Sequence, residues 1–359
     1  MSATHDQNIT INVSLDAAPL QPAGFGAQLH LGDQAAGVTL DGDRVRTYSS
    51  LDAVQTDVTA SFLPAAVLAK ATAVFSQRPK PVEFQVGRVD TGGGESYADG
   101  LAAVRAELDT AYGVSLDSRL DADILALATP IEALEKILVA QSDDADWLTS
   151  GVPAGLSALE GNERTVIVYH DEDSEPMAEG YLSNRLVFNP DTISAPWDAG
   201  VKGVSAYTTA LTDAQRPFAL ANNANVGLPY DAETFFVDPG VNQNGRPIYE
   251  IVSADWFAIR LRELISTEKV NHSARGEKIP VSPVGQTKIL ALIDAQLALG
   301  VTAGHFVADQ VEATAETITA GDLSAGRMRF TARAQLEVSA RLFEFNINVS
   351  RNPLTGSES

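Results

Sequence analysis

Residues 123–141 read DILALATPIEALEKILVAQ, and how this stretch divides decides the fold class. The first seven residues form a short apolar run of the kind a buried strand carries. Pro130 then opens PIEALEKILVAQ, which reads as a helix, because proline's fixed φ and missing N–H suit the first helical position. On the N-terminal side, ADGLAAVRAELDTAYG (residues 98–113) reads as another helix. On the C-terminal side, RTVIVYHDED (residues 164–173) reads as a strand centred on Val166 to Val168. Strands alternating with helices predict an α/β sheet covered by helices.

Further out, RVRTYSSLDAVQTDV predicts a short strand and then a helix capped by Ser49 or Ser50. Residues 64–77 predict a helix that opens on Pro64 and stops at RPKP, ahead of a strand in VEFQVGRV. Pro, Gly and Asn crowd residues 182–250, which read as long loops with short elements. In the last third, DWFAIRLRELISTEK predicts an amphipathic helix with Asp255 as N-cap and Trp256, Ile259 and Leu264 on one face. SPVGQTKILALIDAQLALG predicts a second helix, with Ser282 as cap, Pro283 first and Gly300 just past its end. Strands are expected at residues 306–313, 328–336 and 342–349, so a helix pair beside a sheet forms a unit of its own.

A chain of 359 residues exceeds what one core usually organises. Its net charge is −22, from 25 basic and 47 acidic residues, and such a surface repels phosphate backbones and anionic lipid heads. Residues 250–359 hold 11 basic and 13 acidic side chains, which leaves 14 and 34 for residues 1–249. The acidity therefore belongs to the first two thirds, which fits either an acidic lobe beside a neutral one or a solvated outer lobe joined to an inner lobe that packs on other subunits. Cysteine is absent, which excludes disulfides, thiolate nucleophiles and cysteine-ligated metals. MSATHDQNIT is no signal peptide, and no window offers eighteen or so uncharged apolar residues, so synthesis and assembly in a cytoplasm are expected.

No motif asks for catalysis. DTGGGESYADG lacks the Lys and Ser or Thr of a phosphate loop, and AGFGAQL lacks a third glycine. Asp171, Glu172, Asp173 and Glu175 follow a strand where α/β enzymes place functional loops, but their spacing does not fit a calcium loop. A solvated acidic loop is expected there. His5, His30, His170, His272 and His305 are scattered without metal-ligand spacing.

The two ends stand apart. ITINVS (residues 9–14) and FEFNINVS (residues 343–350) both alternate apolar and polar residues and share the tetrapeptide INVS. A Pro/Gly-rich linker follows the first. Edge strands this apolar need covering, either by pairing with each other inside one subunit, since termini often lie close together, or by neighbouring copies, which would bury Ile9, Ile11, Val13, Phe343, Phe345, Ile347 and Val349; the linker speaks against the first.

In order along the chain, FGAQLHLGD, AKATAVFSQRPKPVEFQVGRV, RTVIVYHDED, NNANVGLPY, FFVDPGVNQNGRPIYEIVSADWFAIRLRELI and FEFNINVSR resemble the contractile-tail sheath proteins of myophages and the related tailocin sheaths, nearly end to end. GDLSAGRMRF and LEVSARLF match that family's closing strands only loosely. The resemblance implies an α/β (α+β) protein whose inner sheet-and-helix domain carries an inserted outer α/β domain and extended N- and C-terminal strand arms. It divides the chain into an arm and linker (1–21), an outer domain (22–245), an inner tube-facing domain (246–341) and a C-terminal arm (342–359). It implies a non-enzymatic subunit without cofactor, assembled in the host cytoplasm into the tail of a virion. There it would stack as hexameric rings around an inner tube, contact tube, baseplate and tail-terminator proteins, and contract to drive the tube through a cell envelope. Gln286, Lys288 and Asp294 would lie on the helix facing the tube. The competing readings are an α/β enzyme using the acidic loop after Val168, and a virion surface adhesin.

Overall fold

The computed structural model describes residues 24–149, 151–205, 207–229 and 234–339. The terminal candidates Ile9, Ile11, Val13, Phe343, Phe345, Ile347 and Val349 lie outside the described residues. In chain order the elements are β1 (Gln28–Asp33), β2 (Val45–Tyr48), α1 (Leu51–Thr59), α2 (Ala65–Ser76), β3 (Phe84–Val89), α3 (Tyr97–Glu107), β4 (Gly113–Leu116), α4 (Asp121–Glu132), β5 (Ile137–Ser142), β6 (Thr165–Tyr169) and α5 (Met177–Leu186). There follow β7 (Ala199–Lys202), α6 (Gln215–Ala221), β8 (Ala224–Pro229), β9 (Thr234–Asp238), α7 (Ile248–Ala274), α8 (Pro283–Thr302), β10 (Phe306–Ala315), α9 (Ala320–Ala325) and β11 (Phe330–Leu336).

Nine strands form one sheet in the order β2-β3-β1-β4-β5-β6-β8-β9-β7. From β3 to β8 the neighbours run parallel, while β2, β9 and β7 pair antiparallel at the margins. Helices cover both faces, which is why β4, β5 and β6 are buried at every position and read as continuous apolar runs. On one face Leu29, Leu31, Val114 and Ile167 pack with Leu101, Ile124 and Leu127 from α3 and α4. The other face packs on α5 and then, without a break, on Trp256, Phe257, Ile293, Phe306 and Leu336 of the last third. One apolar core therefore runs from the sheet into the helix pair.

The α/β architecture stands, but several assignments shift. The DILALAT run is not a strand. Ile124, Leu127, Ala128 and Ile131 are all buried, an i, i+3, i+4, i+7 spacing that belongs to α4, whose first turn carries Asp121 and Asp123. Pro130 sits in the last turn of that helix rather than opening a new one, and the strand is β5, within the presumed helix. Similarly, the helix expected to reach residue 113 ends at Glu107, because GVSL is strand β4. Residues 182–250, read as long loops with short elements, hold the second half of α5, three short sheet strands, α6 and the first turn of α7.

Asp255 caps nothing. α7 begins seven residues earlier and runs for 27 residues, so Asp255 lies inside it and is buried. Ser282 does cap α8, with its side chain accepting from the Gly285 N–H. Gly300, however, stays within α8, where a Cβ would fall 2.4 Å from the Phe306 ring. The turn that leaves α8 is made at Gly304, which has φ +78°.

Candidate assembly surfaces

The last third is built as a hairpin of helices carrying a ribbon of two strands. α8 packs on α7 through Ile289, Ile293 and Leu297, and Gly300 lets the Phe306 ring close over it. β10 and β11 pair antiparallel from Ala315↔Phe330 to Phe306↔Leu336, with a register shift between Phe306 and Val311. Val311, Ala313, Phe330 and Ala332 turn toward the core, while Glu312, Thr314 and Arg333 alternate away from it. Among the described residues neither outer edge of this ribbon is paired with another strand. A two-stranded ribbon is marginal on its own, and its unpaired N–H and C=O groups are a template for further strands.

The predicted tube-facing residues separate. Gln286 is half-buried and donates to the Glu316 carbonyl at 2.6 Å, holding the far end of β10 to α8. Lys288 and Asp294 are exposed, about 120° apart around the helix. Between them lie the exposed Val284, Ala291 and Ala295, with the exposed Leu299 beside Lys288 just outside that arc. By length and composition α8 reaches the threshold for crossing a membrane, but its opposite face is packed into the core.

The joint between helix pair and sheet is made of ion pairs that sequence reasoning did not anticipate. Arg164, just before β6, grips Asp255 with both guanidinium nitrogens at 2.6 and 2.7 Å, and Tyr112 donates to the same carboxylate at 2.7 Å. Arg262 pairs Glu135 at 2.8 and 3.0 Å, and Arg260 together with Trp256 Nε1 holds Asp191. His305 Nε2 bonds the Pro190 carbonyl while its Nδ1 meets Ser253 Oγ, both at 2.7 Å. The partners lie 52 to 143 residues apart, so no local spacing announces them.

A second network lies inside the sheet body, at the carboxyl ends of β1 and β4. His30 Nδ1 is 3.1 Å from Glu179 Oε1 and 3.2 Å from Ser115 Oγ, and its Nε2 is 3.3 Å from Lys70 Nζ. Lys70 also pairs with Asp117. Burial, reinforced by the Lys70 charge, lowers the His30 imidazole to about 4. Burial likewise lowers Lys70 to about 8. Burial alone would raise Glu179, but the His30 hydrogen bond and the Lys70 charge outweigh it and hold this carboxylate well below its ordinary range.

The acidic loop after β6 does not converge on a pocket. Asp171 accepts from the Thr208 and Thr209 amides, and Glu175 from the Ser205 amide, so these carboxylates pin one loop to another. Among the described residues no group of His, Asp and Glu could hold a metal. A sheet body is thus joined to a ribbon-bearing helix hairpin by one largely buried ion pair, Arg164–Asp255, and two half-exposed ones, and among the described residues the ribbon's outer edges are unpaired.

No protein-family model matches the chain, and no curated protein matches its sequence. Solved structures do match. A chain of the anti-feeding prophage (AFP) baseplate, 6-fold symmetrised, aligns at TM-score 0.64 and 12% identity, over 98% of this chain and all of that one. The AFP helical sheath in its contracted state aligns at 0.62 and 14%, over 98% and 97%. The sheath complex of an extracellular contractile injection system, PVC, in its contracted state aligns at 0.58 and 13%, over 97% and 99%. The chain has the mixed α/β fold of these contractile-sheath structures, matched over nearly its whole length.

Proposed function

We propose that this chain is a tail sheath subunit that stacks as hexameric rings around an inner tube and contracts to drive that tube through a cell envelope. The observation that carries the reading is the β10–β11 ribbon, whose two outer edges are unpaired among the described residues, in a chain whose fold matches contracted sheaths over nearly its whole length. Residues 9–14 and 343–350 are the proposed donors, adding strands to the ribbons of neighbouring copies. Strand addition satisfies backbone groups on both sides at about 1 kcal/mol net per bond. Each buried Ile, Val or Phe adds about 1.5 to 3 kcal/mol, against the cost of ordering the arm. An arm on a linker keeps its contact while the subunit bodies rotate. Contraction then runs downhill through new body-to-body contact and needs no nucleotide.

The division into arm and linker (1–21), outer domain (22–245), inner domain (246–341) and arm (342–359) belongs to this proposal. So do Gln286, Lys288 and Asp294 of α8 as tube contacts, and the baseplate and tail terminator as end partners. The test is electron microscopy of the purified protein, alone and with a tube protein. Striated cylinders are expected from the full chain. Truncations lacking residues 1–15 or 343–359 should remain folded monomers, and cylinders of normal length from either truncation would remove the arm assignment.

A further inference from the structure

At one margin of the nine-stranded sheet, β7 pairs with β9 on one side and, among the described residues, with no strand on the other. Margins of this kind recruit further strands unless something covers them. The last residue of β7, Lys202, turns both its N–H and its C=O away from β9, and one side chain takes both. Gln77 Oε1 accepts the Lys202 N–H at 3.1 Å, and Gln77 Nε2 donates to the Lys202 carbonyl at 2.6 Å. These are the two bonds that an added antiparallel strand would make at this residue.

The amide is fixed on every side. Gln77 is fully buried at the C-terminal cap of α2, where its Nε2 also donates to the Ala73 carbonyl at 2.7 Å. Its Oε1 also accepts from Asn184 Nδ2 at 3.0 Å, and Asn184 in turn accepts from Arg185 Nε at 2.9 Å. Both donors and both acceptor sites of the Gln77 side chain are therefore used. Past Lys202 the chain turns at Gly203, which has φ +74° and where a Cβ would lie 3.1 Å from the Ala73 Cα. The end of α2 thus stands directly against the end of β7. Gln77 belongs to the stretch FSQRPKP that stops α2. Stopping a helix asks for no buried amide, whereas the β7 edge does.

We propose that Gln77 is an edge plug: its amide fills the strand-accepting sites at the end of β7, so that the sheet body cannot take a strand from a second copy there. The contrast is with the β10–β11 ribbon, whose outer edges are unpaired among the described residues. Strands offered by other copies are thereby steered away from β7 and toward the ribbon. That steering rests on the sheath reading, while the closed edge is a property of the single subunit and does not.

Hydrogen exchange at the Lys202 amide of the full chain tests it. Gln77→Met keeps the length of the side chain and removes both bonds to Lys202. At low protein concentration the Lys202 amide should exchange at least about tenfold faster in this variant than in the wild type. As concentration rises, the variant should self-associate and its Lys202 amide should regain protection, while protection of Lys202 in the wild type stays constant. Asn184→Ala, which leaves Gln77 in place but removes one of its anchors, should give a milder change of the same sign, and carries the test if Gln77→Met does not fold. Lys202 protection unchanged in both variants would overturn the proposal. So would an opened edge that never regains protection however concentrated the variant, since Gln77 would then only support α2. A wild-type chain that forms no cylinders while Lys202 behaves as expected would remove the sheath reading and leave the plug standing.

Discussion

Asp255 is held by Arg164 and Tyr112 in a site where it is 5% exposed, and a buried pair of this kind costs most when only one partner is removed. Asp255→Ala should therefore lower stability in urea by about 3 to 5 kcal/mol. The double change Asp255→Leu with Arg164→Met should lose less than the single one, because no charge is then left unpaired. Acid acts on the other buried network. His30 titrates near 6.5 when unfolded and near 4 when folded, so the fold disfavours its proton. Stability should be intact above pH 6.5 and fall by about 3 kcal/mol as pH drops toward 4, where the His30 contribution levels off. Glu179, held low, adds to the loss as pH passes below its ordinary range near 4.5. His30→Gln should flatten the upper part of the melting-temperature profile between pH 7 and 4. Neither network was legible beforehand, since each joins residues from three or four separate elements.

At the scale of elements, legibility followed the strength of local chemistry. Ser50, Pro64 and Ser282 mark helix starts through bonds or dihedrals made within one turn, and all three lie where the sequence puts them. DILALATPIE misled because a seven-residue apolar run fits strand and buried helix alike. The i, i+3, i+4, i+7 spacing of its buried residues, with Asp121 and Asp123 at the start of the helix, held the answer. Asp255 misled differently, since a residue suited to capping was placed mid-helix to serve a partner 91 residues away. β8 and β9 were hidden because Pro, Gly and Asn suggest loops, whereas here Asn225 lies inside a strand and bonds the backbone of Ile167 and Val241. Gly300 offers a test of sign. Gly to Ala in an exposed helix stabilises by about 1 kcal/mol. At Gly300 the new Cβ meets the Phe306 ring, so Gly300→Ala should instead destabilise by about 1 to 3 kcal/mol. Phe306→Leu should recover part of that loss in thermal melts of the double variant.

For the whole molecule, the charge division and the fold make one prediction. With 34 of the 47 acidic side chains in residues 1–249, a polymer that placed that portion near its axis would crowd like charges. Density maps of cylinders should accordingly show residues 90–240 on the outside and residues 250–351 toward the lumen. The opposite arrangement would overturn the proposed orientation. The mixed α/β body was readable from alternation alone, while the continuity of one core from sheet to helix pair was not, because it depends on which faces meet.

α7 has a mechanical consequence. Its first half is bolted to the sheet body at Asp255 and Arg262, and from Asp255 to Ala274 it extends about 28 Å as a single rod. Beyond the second bolt at Arg262 the rod runs on for about 18 Å, so a tilt of about 10° about that point would sweep its tip by about 3 Å. Leverage of that size would turn a small rearrangement of side chains at the fulcrum into a shift of about two residues' rise along a helix.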